Sequence, residues 1–335
     1  MNKVTYLIGA GASAEALPLA KSNPDYKIEG LSEALVRVAD QLEMENEKDE
    51  LKETVSKLKT NLYWLAENSK SFNTVDTFAK YCFLQEPEKF LLIKKLLSVY
   101  FTIDQTINKR LDNRYLVFLT TILENQFQFP NNIKILNWNY DCQLQLTSLR
   151  FKPEGVTFSA GIFMQTDPLI NYFPSMGMYP MQMTKPKDSY SLVHLNGIAG
   201  YIENRENIVF NTLYDIKTIP EFLDHSINII DKNFNLLTFA WESPKNMRYS
   251  SNIEIAKEII IGSDILVIIG YSFPFFNREI DKEIFNVLCQ TGLKKIYYQD
   301  KFKSGDFLRS QFDLERSIEL LTIDKTDQLF IPIEL

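Results

Sequence analysis

The stretch Lys3–Leu19, KVTYLIGAGASAEALPL, restricts what this chain can fold into more than any other. An apolar, β-branched run, Val4–Ile8, stops at Gly9-Ala10-Gly11-Ala12-Ser13, and a string rich in Ala, Glu and Leu follows. The pattern predicts a strand, a glycine turn and the start of a helix. Such a unit brings backbone N–H groups and a positive helix end to one point, where a phosphate or pyrophosphate can bind. Glycine is needed where the backbone turns and approaches the ligand. With Ala14 the string also fits the loose G-x-G-x-x-G/A pattern of dinucleotide folds. A tight strand–helix turn that binds nothing would read the same way. Placement directly after the first strand favours the binding reading.

Helical spacing covers Leu31 to about Thr60, then Leu62–Leu65, Val75–Leu84, Pro87–Phe101 and Tyr115–Phe127, with Pro87 as a first-turn residue. Roughly a hundred residues of helix therefore separate the glycine turn from the next strand, too many for a simple crossover. We read 28–130 as a helical insertion within a single domain spanning 1–335. Strand signals resume at Ile133–Trp138, which runs into Asn139-Tyr140-Asp141, and at Ser191–Leu195, which ends in Asn196-Gly197. Asn235–Ala240, Ile265–Ile269 and Lys295–Gln299 follow, with Gly270-Tyr271-Ser272 and Asp300 at the ends of the last two. Ile253–Ile261 and Ile280–Leu288 read as helices, and a closing helix is expected to include Leu314–Leu321. Strands alternating with helices predict an α/β fold, a Rossmann-like doubly wound parallel sheet with a large inserted helical subdomain. In such sheets ligands bind at the carboxyl ends of the strands. The Met-, Phe-, Pro- and Tyr-rich stretch Phe151–Tyr190 reads as irregular structure beside that edge.

The net charge of −7 disfavours a general nucleic-acid grip, which needs a basic face. Cys82, Cys142 and Cys289 are scattered without a C-x-x-C pair, which argues against a zinc ribbon or a disulfide framework and suits a reducing compartment. No apolar run reaches the length of a membrane span and no signal-peptide pattern opens the chain, so no membrane association and a cytoplasmic location are expected.

In order, Gly9-Ala10-Gly11-Ala12-Ser13, Asn139-Tyr140-Asp141, His194-Leu195-Asn196-Gly197 and Ser263–Pro274 (SDILVIIGYSFP) resemble the motifs of sirtuins, and most closely the divergent sirtuin-like domains of bacterial antiphage defence systems. Leu17-Pro18 and Phe239–Glu242 add to the likeness; 25–130 and 151–190 have no motif to match. The resemblance implies NAD+ binding, with Gly9, Ala10, Gly11, Ala12 and Ser13 on the pyrophosphate, Gly270 and Ser272 on the adenosine side, and Gln299 and Asp300 near the adenine ribose. It places Asn139 at the nicotinamide ribose and Asp141 at the carboxamide. Two departures follow. The paired cysteines of the deacetylase zinc module are missing, so no metal is expected and hydrolysis of NAD+ is favoured over deacetylation. The family shows His directly before Gly, whereas this chain has Asn196 in that register and His194 two residues earlier. On a strand the two would share a face, so either could serve. A histidine at a strand end can equally be a hydrogen-bonded structural residue.

Cleavage of the nicotinamide–ribose bond passes through an oxocarbenium-like centre and releases a neutral ring. It needs a placed water and polar groups at the ribose rather than a strong acid. The leading expectation is an NAD+ glycohydrolase that yields nicotinamide and ADP-ribose as the effector of an abortive-infection system. The alternative is a catalytically weak or inactive NAD+/ADP-ribose sensor and assembly domain. A dehydrogenase is disfavoured because no strand with a terminal acidic residue follows soon after the glycines. Self-association and a neighbouring activator such as an ATPase are expected from the resemblance. Asp76 reads as a helix N-terminal or surface residue with a possible reach to the pocket, Trp138 and Tyr140 as core or pocket wall, Asp264 as a turn cap and His225 as surface.

Overall fold

The computed structural model describes residues 1–44, 49–123, 129–151, 169–174, 187–202, 218–223, 234–242 and 247–335; His225 and most of 151–190 lie outside them. Strands β1 (Val4–Ile8), β2 (Ile133–Asn137), β3 (Tyr172–Phe173), β4 (Leu192–His194), β7 (Ile265–Ile269), β8 (Lys295–Gln299) and β9 (Glu319–Ile323) form one sheet. All its pairings are parallel, in the order β3-β4-β2-β1-β7-β8-β9. The chain therefore starts at the centre, fills one half of the sheet, and then crosses β1 to fill the other half. This is the doubly wound arrangement, with its switch point at β1.

Strand periodicity assigns the apolar residues to two faces. Tyr6, Ile8, Ile135, Val267 and Ile269 pack with Tyr115, Phe118 and Leu119 of α5 (Asn113–Ile122). Leu7, Leu136, Leu266, Ile268 and Ile296 pack on the other side with Ala256 and Ile259 of α7 (Met247–Ile259) and with Ile280, Ile284 and Leu288 of α8 (Arg278–Gln290). Covering both faces is why the central strands read as continuous apolar runs. Each fully buried Leu or Ile removed from water contributes about 1.5–3 kcal/mol.

Between β1 and β2 the helices α1 (Leu31–Met44), α2 (Lys52–Ser71), α3 (Val75–Gln85) and α4 (Pro87–Thr102) pack round a core of their own. Leu35, Val38 and Leu42 lie on one stripe of α1 and meet the Leu58, Leu62 and Leu65 stripe of α2. Thr74 caps α3 by accepting the Thr77 N–H, and Pro87 occupies the first turn of α4. The same core takes in Ile198 and Leu237 from β5 (Gly197–Ile202) and β6 (Phe234–Leu237), which pair antiparallel as a separate two-stranded sheet. No helix among the described residues is long and apolar enough to cross a membrane.

Two elements differ from the sequence expectation. No α-helix follows the glycine turn: Ala10–Ser13 is a short 3-10 turn, and α1 begins only at Leu31. Pro18 disfavours helical backbone at Leu17, so the Ala/Glu/Leu string is cut before it can complete a regular helix. The expected closing helix at Leu314–Leu321 is also absent. Leu314 precedes β9, an edge strand whose register runs Lys295 opposite Glu319 to Gln299 opposite Ile323.

Candidate functional site

The glycine turn owes its composition to close packing. A Cβ on Gly9 would lie 2.6 Å from the Tyr271 Cα, and one on Gly11 would lie 2.7 Å from the Gly270 Cα. Gly270 itself has φ +57, and a side chain there would meet the Gly11 backbone at 2.5 Å. Only glycine fits where these two strand-end turns touch. The turn's N–H groups are drawn into this packing as well: Gly9 donates to Ile269 O, Gly11 to Gly270 O and Ala12 to Gly9 O. The expected helix-end cradle for a phosphate is thus replaced by a turn stitched to its neighbour. Ala10 stands exposed and Gly11 half-buried at the rim.

Beside the turn, the ends of β1 and β2 bring three of the expected residues together. The Ser13 hydroxyl donates to Asp141 Oδ2 at 2.9 Å, and Asn139 Nδ2 lies 3.4 Å from Ser13 Oγ and donates to Gly9 O at 3.0 Å. The Tyr115 hydroxyl, 3.1 Å from Ser13 Oγ, completes the set from α5. All four are buried. Asp141 also accepts the Gln143 N–H through Oδ1. Burial pushes its carboxyl up to about 6 against these hydrogen bonds, so it is ionised at neutral pH yet unusually basic. Such a carboxylate can take a proton from a bound water.

His194 ends β4, opposite Asn137 in register, and has no exposed surface. Its Nε2 lies 2.6 Å from Gln145 Nε2, and its Nδ1 lies 3.4 Å from Asn139 O. With the Gln145 amide donating to Nε2, the neutral ring carries its proton on Nδ1 toward Asn139 O, although Asn137 Nδ2 also lies 3.5 Å from that nitrogen. Burial lowers its pKa to about 4. Asn196 does not share a strand face with it, because β4 stops at His194 and residues 195 and 196 form a turn. The Asn196 amide donates to Trp138 O at 3.4 Å, while its buried Oδ1 has no partner among the described residues. Both residues thus flank the Asn139 loop from the β4 side.

Among the described residues, the other expected ones form no hydrogen bond with this cluster. Ser272 is exposed after β7. Gln299 is buried at the end of β8, where its amide donates to Lys325 O (2.6 Å) and Gln328 O (2.7 Å) and its Oε1 accepts from Phe330 N–H. The Asp300 carboxylate closes its own turn by accepting the Phe302 and Lys303 N–H groups.

Four residues at the site carried no motif. Asp76 in the first turn of α3 accepts the Tyr140 hydroxyl at 2.9 Å, which ties the helical body to the Asn139–Asp141 loop. Asp281 of α8 is fully buried, accepts Trp138 Nε1–H and the Tyr271 hydroxyl, and is pushed up to about 8 by burial. It anchors the residue before Asn139 and the residue after Gly270. The other two, Tyr115 and Arg114, sit side by side at the start of α5. A separate open pocket of about 820 Å³ lies over Arg37, Asn108 and Arg110 on the helical body, away from this cluster. Compared with known proteins, the chain matches no protein-family model and no curated protein sequence.

Proposed function

We propose that this chain is an NAD+ glycohydrolase, cleaving NAD+ to nicotinamide and ADP-ribose. The observation that carries the reading is the meeting of Ser13, Asn139 and Asp141 at the carboxyl ends of adjacent central strands of a doubly wound parallel sheet. In this reading the dinucleotide lies along that rim, with its pyrophosphate over Ala10 and Gly11 and its nicotinamide ribose toward Asn139. Water attacks C1′ of that ribose. The C1′–N bond breaks, its electron pair passes to the nicotinamide nitrogen, and Asp141 takes the proton lost by the water. The ring leaves neutral, so no acid is required. Burial keeps Asp141 basic enough to act near neutral pH. His194, neutral and enclosed, shapes the Asn139 loop instead of exchanging protons.

A second reading, NAD+ or ADP-ribose binding without hydrolysis, is favoured by that enclosed histidine. Incubating the purified chain with NAD+ and quantifying nicotinamide separates the two. Release that Asn139→Ala reduces by at least about a hundredfold supports hydrolysis. Calorimetric binding of NAD+ with no release supports the sensor. A role as an antiphage effector, self-association and control by a partner belong to the same proposal and rest on the resemblance. Exposed Tyr81, Leu84 and Leu91 on α3 and α4 support self-association through the helical body.

A further inference from the structure

The glycine turn is held from behind by one guanidinium. Arg114, 6% exposed, donates through Nη2 to Gly11 O and Ala12 O, each at 3.2 Å. The same side chain forms a two-point ion pair with Asp112, Nε to Oδ1 at 3.0 Å and Nη2 to Oδ2 at 2.6 Å. Its Nη1 donates to Thr326 O at 2.9 Å. Asp112 in turn accepts the Glu15 N–H, and its own N–H donates to Gln143 Oε1 at 2.7 Å. One buried pair therefore joins Gly11, Ala12 and Glu15 of the glycine-turn segment, the loop after Asp141 and the C-terminal segment. A lysine could not do this, since its three donors radiate from one atom and lack the planar fork that reaches these five acceptor atoms.

The carbonyl and N–H of a trans peptide point in opposite directions. Fixing Ala12 O on Arg114 therefore aims the Ser13 N–H away from the guanidinium. Tyr115, the next residue of α5, holds the Ser13 side chain. We propose that Arg114 is a positioning residue for the nucleotide site: it sets the peptide planes of Gly11 and Ala12 and so keeps Ser13 registered on Asp141. Its kinetic consequence rests on the NAD+ reading above; its effect on the turn does not.

Arg114→Lys keeps the charge beside Asp112 and removes the fork. Hydrogen exchange of this variant should show amides of Gly9–Leu17 exchanging at least about tenfold faster while those of α8 are unchanged. With NAD+, KM should rise about tenfold while kcat falls less than about threefold, the pattern of lost binding. Wild-type exchange in Gly9–Leu17, or a fall in kcat at constant KM, overturns the proposal. The paired variant Asp112→Asn/Arg114→Gln leaves no lone buried charge and serves if the lysine variant does not fold. It should show the same exchange and KM changes, and wild-type values overturn the proposal equally. A wild-type chain that neither binds nor cleaves NAD+ defeats the functional reading alone, and the exchange result still decides the role of Arg114.

Discussion

Ser13 donates its hydroxyl proton to the Asp141 carboxylate across 2.9 Å, although 128 residues separate them. The bond joins the ends of β1 and β2 and leaves a carboxylate with almost no solvent around it. Asp141→Asn should therefore stabilise the fold while abolishing nicotinamide release. Burial raises the folded-state pKa to about 6 from an ordinary 3.8, so the folded chain binds the proton more tightly. The stability from protonation is complete below about pH 4 and is lost as pH rises through about 6, a difference on the order of 3 kcal/mol. Thermal melts at pH 7 should show the Asn variant above wild type, with the gap closing toward pH 4. A variant that melts lower at pH 7 contradicts the burial argument.

His194 carries the opposite sign. Its pKa falls to about 4 from 6.5, so the unfolded chain takes up a proton the folded chain refuses, and stability is lost as pH drops from 6.5 through 4. His194→Gln should make that acid loss shallower. In turnover, the acid limb near pH 6 belongs to Asp141 on our reading, so it should persist in His194→Gln. A limb that vanishes with the histidine would return the proton-transfer role to His194.

Gly270 tests the contact between the two strand-end turns. Alanine there must adopt a positive φ and place its Cβ 2.5 Å from the Gly11 backbone. Strain and overpacking together should cost roughly 2–5 kcal/mol, seen as a large fall in Tm. An unshifted Tm would mean the turns separate at little cost.

How much of this could be read from the chain alone follows from where each signal lives. Val4–Ile8 and Ile265–Ile269 are strands with those bounds because burial on both faces leaves runs that are almost wholly apolar, Thr5 being the exception and bonded to the Ser263 hydroxyl. Glu319–Ile323 carries no comparable signal, because an edge strand with exposed Glu319, Leu321 and Thr322 shows no such run. Ser13, Asn139 and Asp141 were legible because strand ends in a parallel sheet converge. Arg114, Tyr115 and Asp281 were not, since their partners depend on where α5 and α8 land, which no local spacing encodes. The glycines were legible as a turn, but their reason is a second turn 260 residues away, and sequence proximity cannot show that contact.

Gln299 separates a structural role from the ribose contact that the resemblance implies. Its amide makes three hydrogen bonds to the C-terminal segment, at Lys325, Gln328 and Phe330. Gln299→Ala leaves those backbone groups without their side-chain partner and opens a small cavity, at a cost of roughly 2–4 kcal/mol. The expected signature is a lower Tm together with faster proteolysis after residue 324. A ribose contact would show the converse, a raised KM for NAD+ at unchanged Tm. The two outcomes are distinct because Gln299 is 3% exposed and both ends of its amide already face the segment that follows β9.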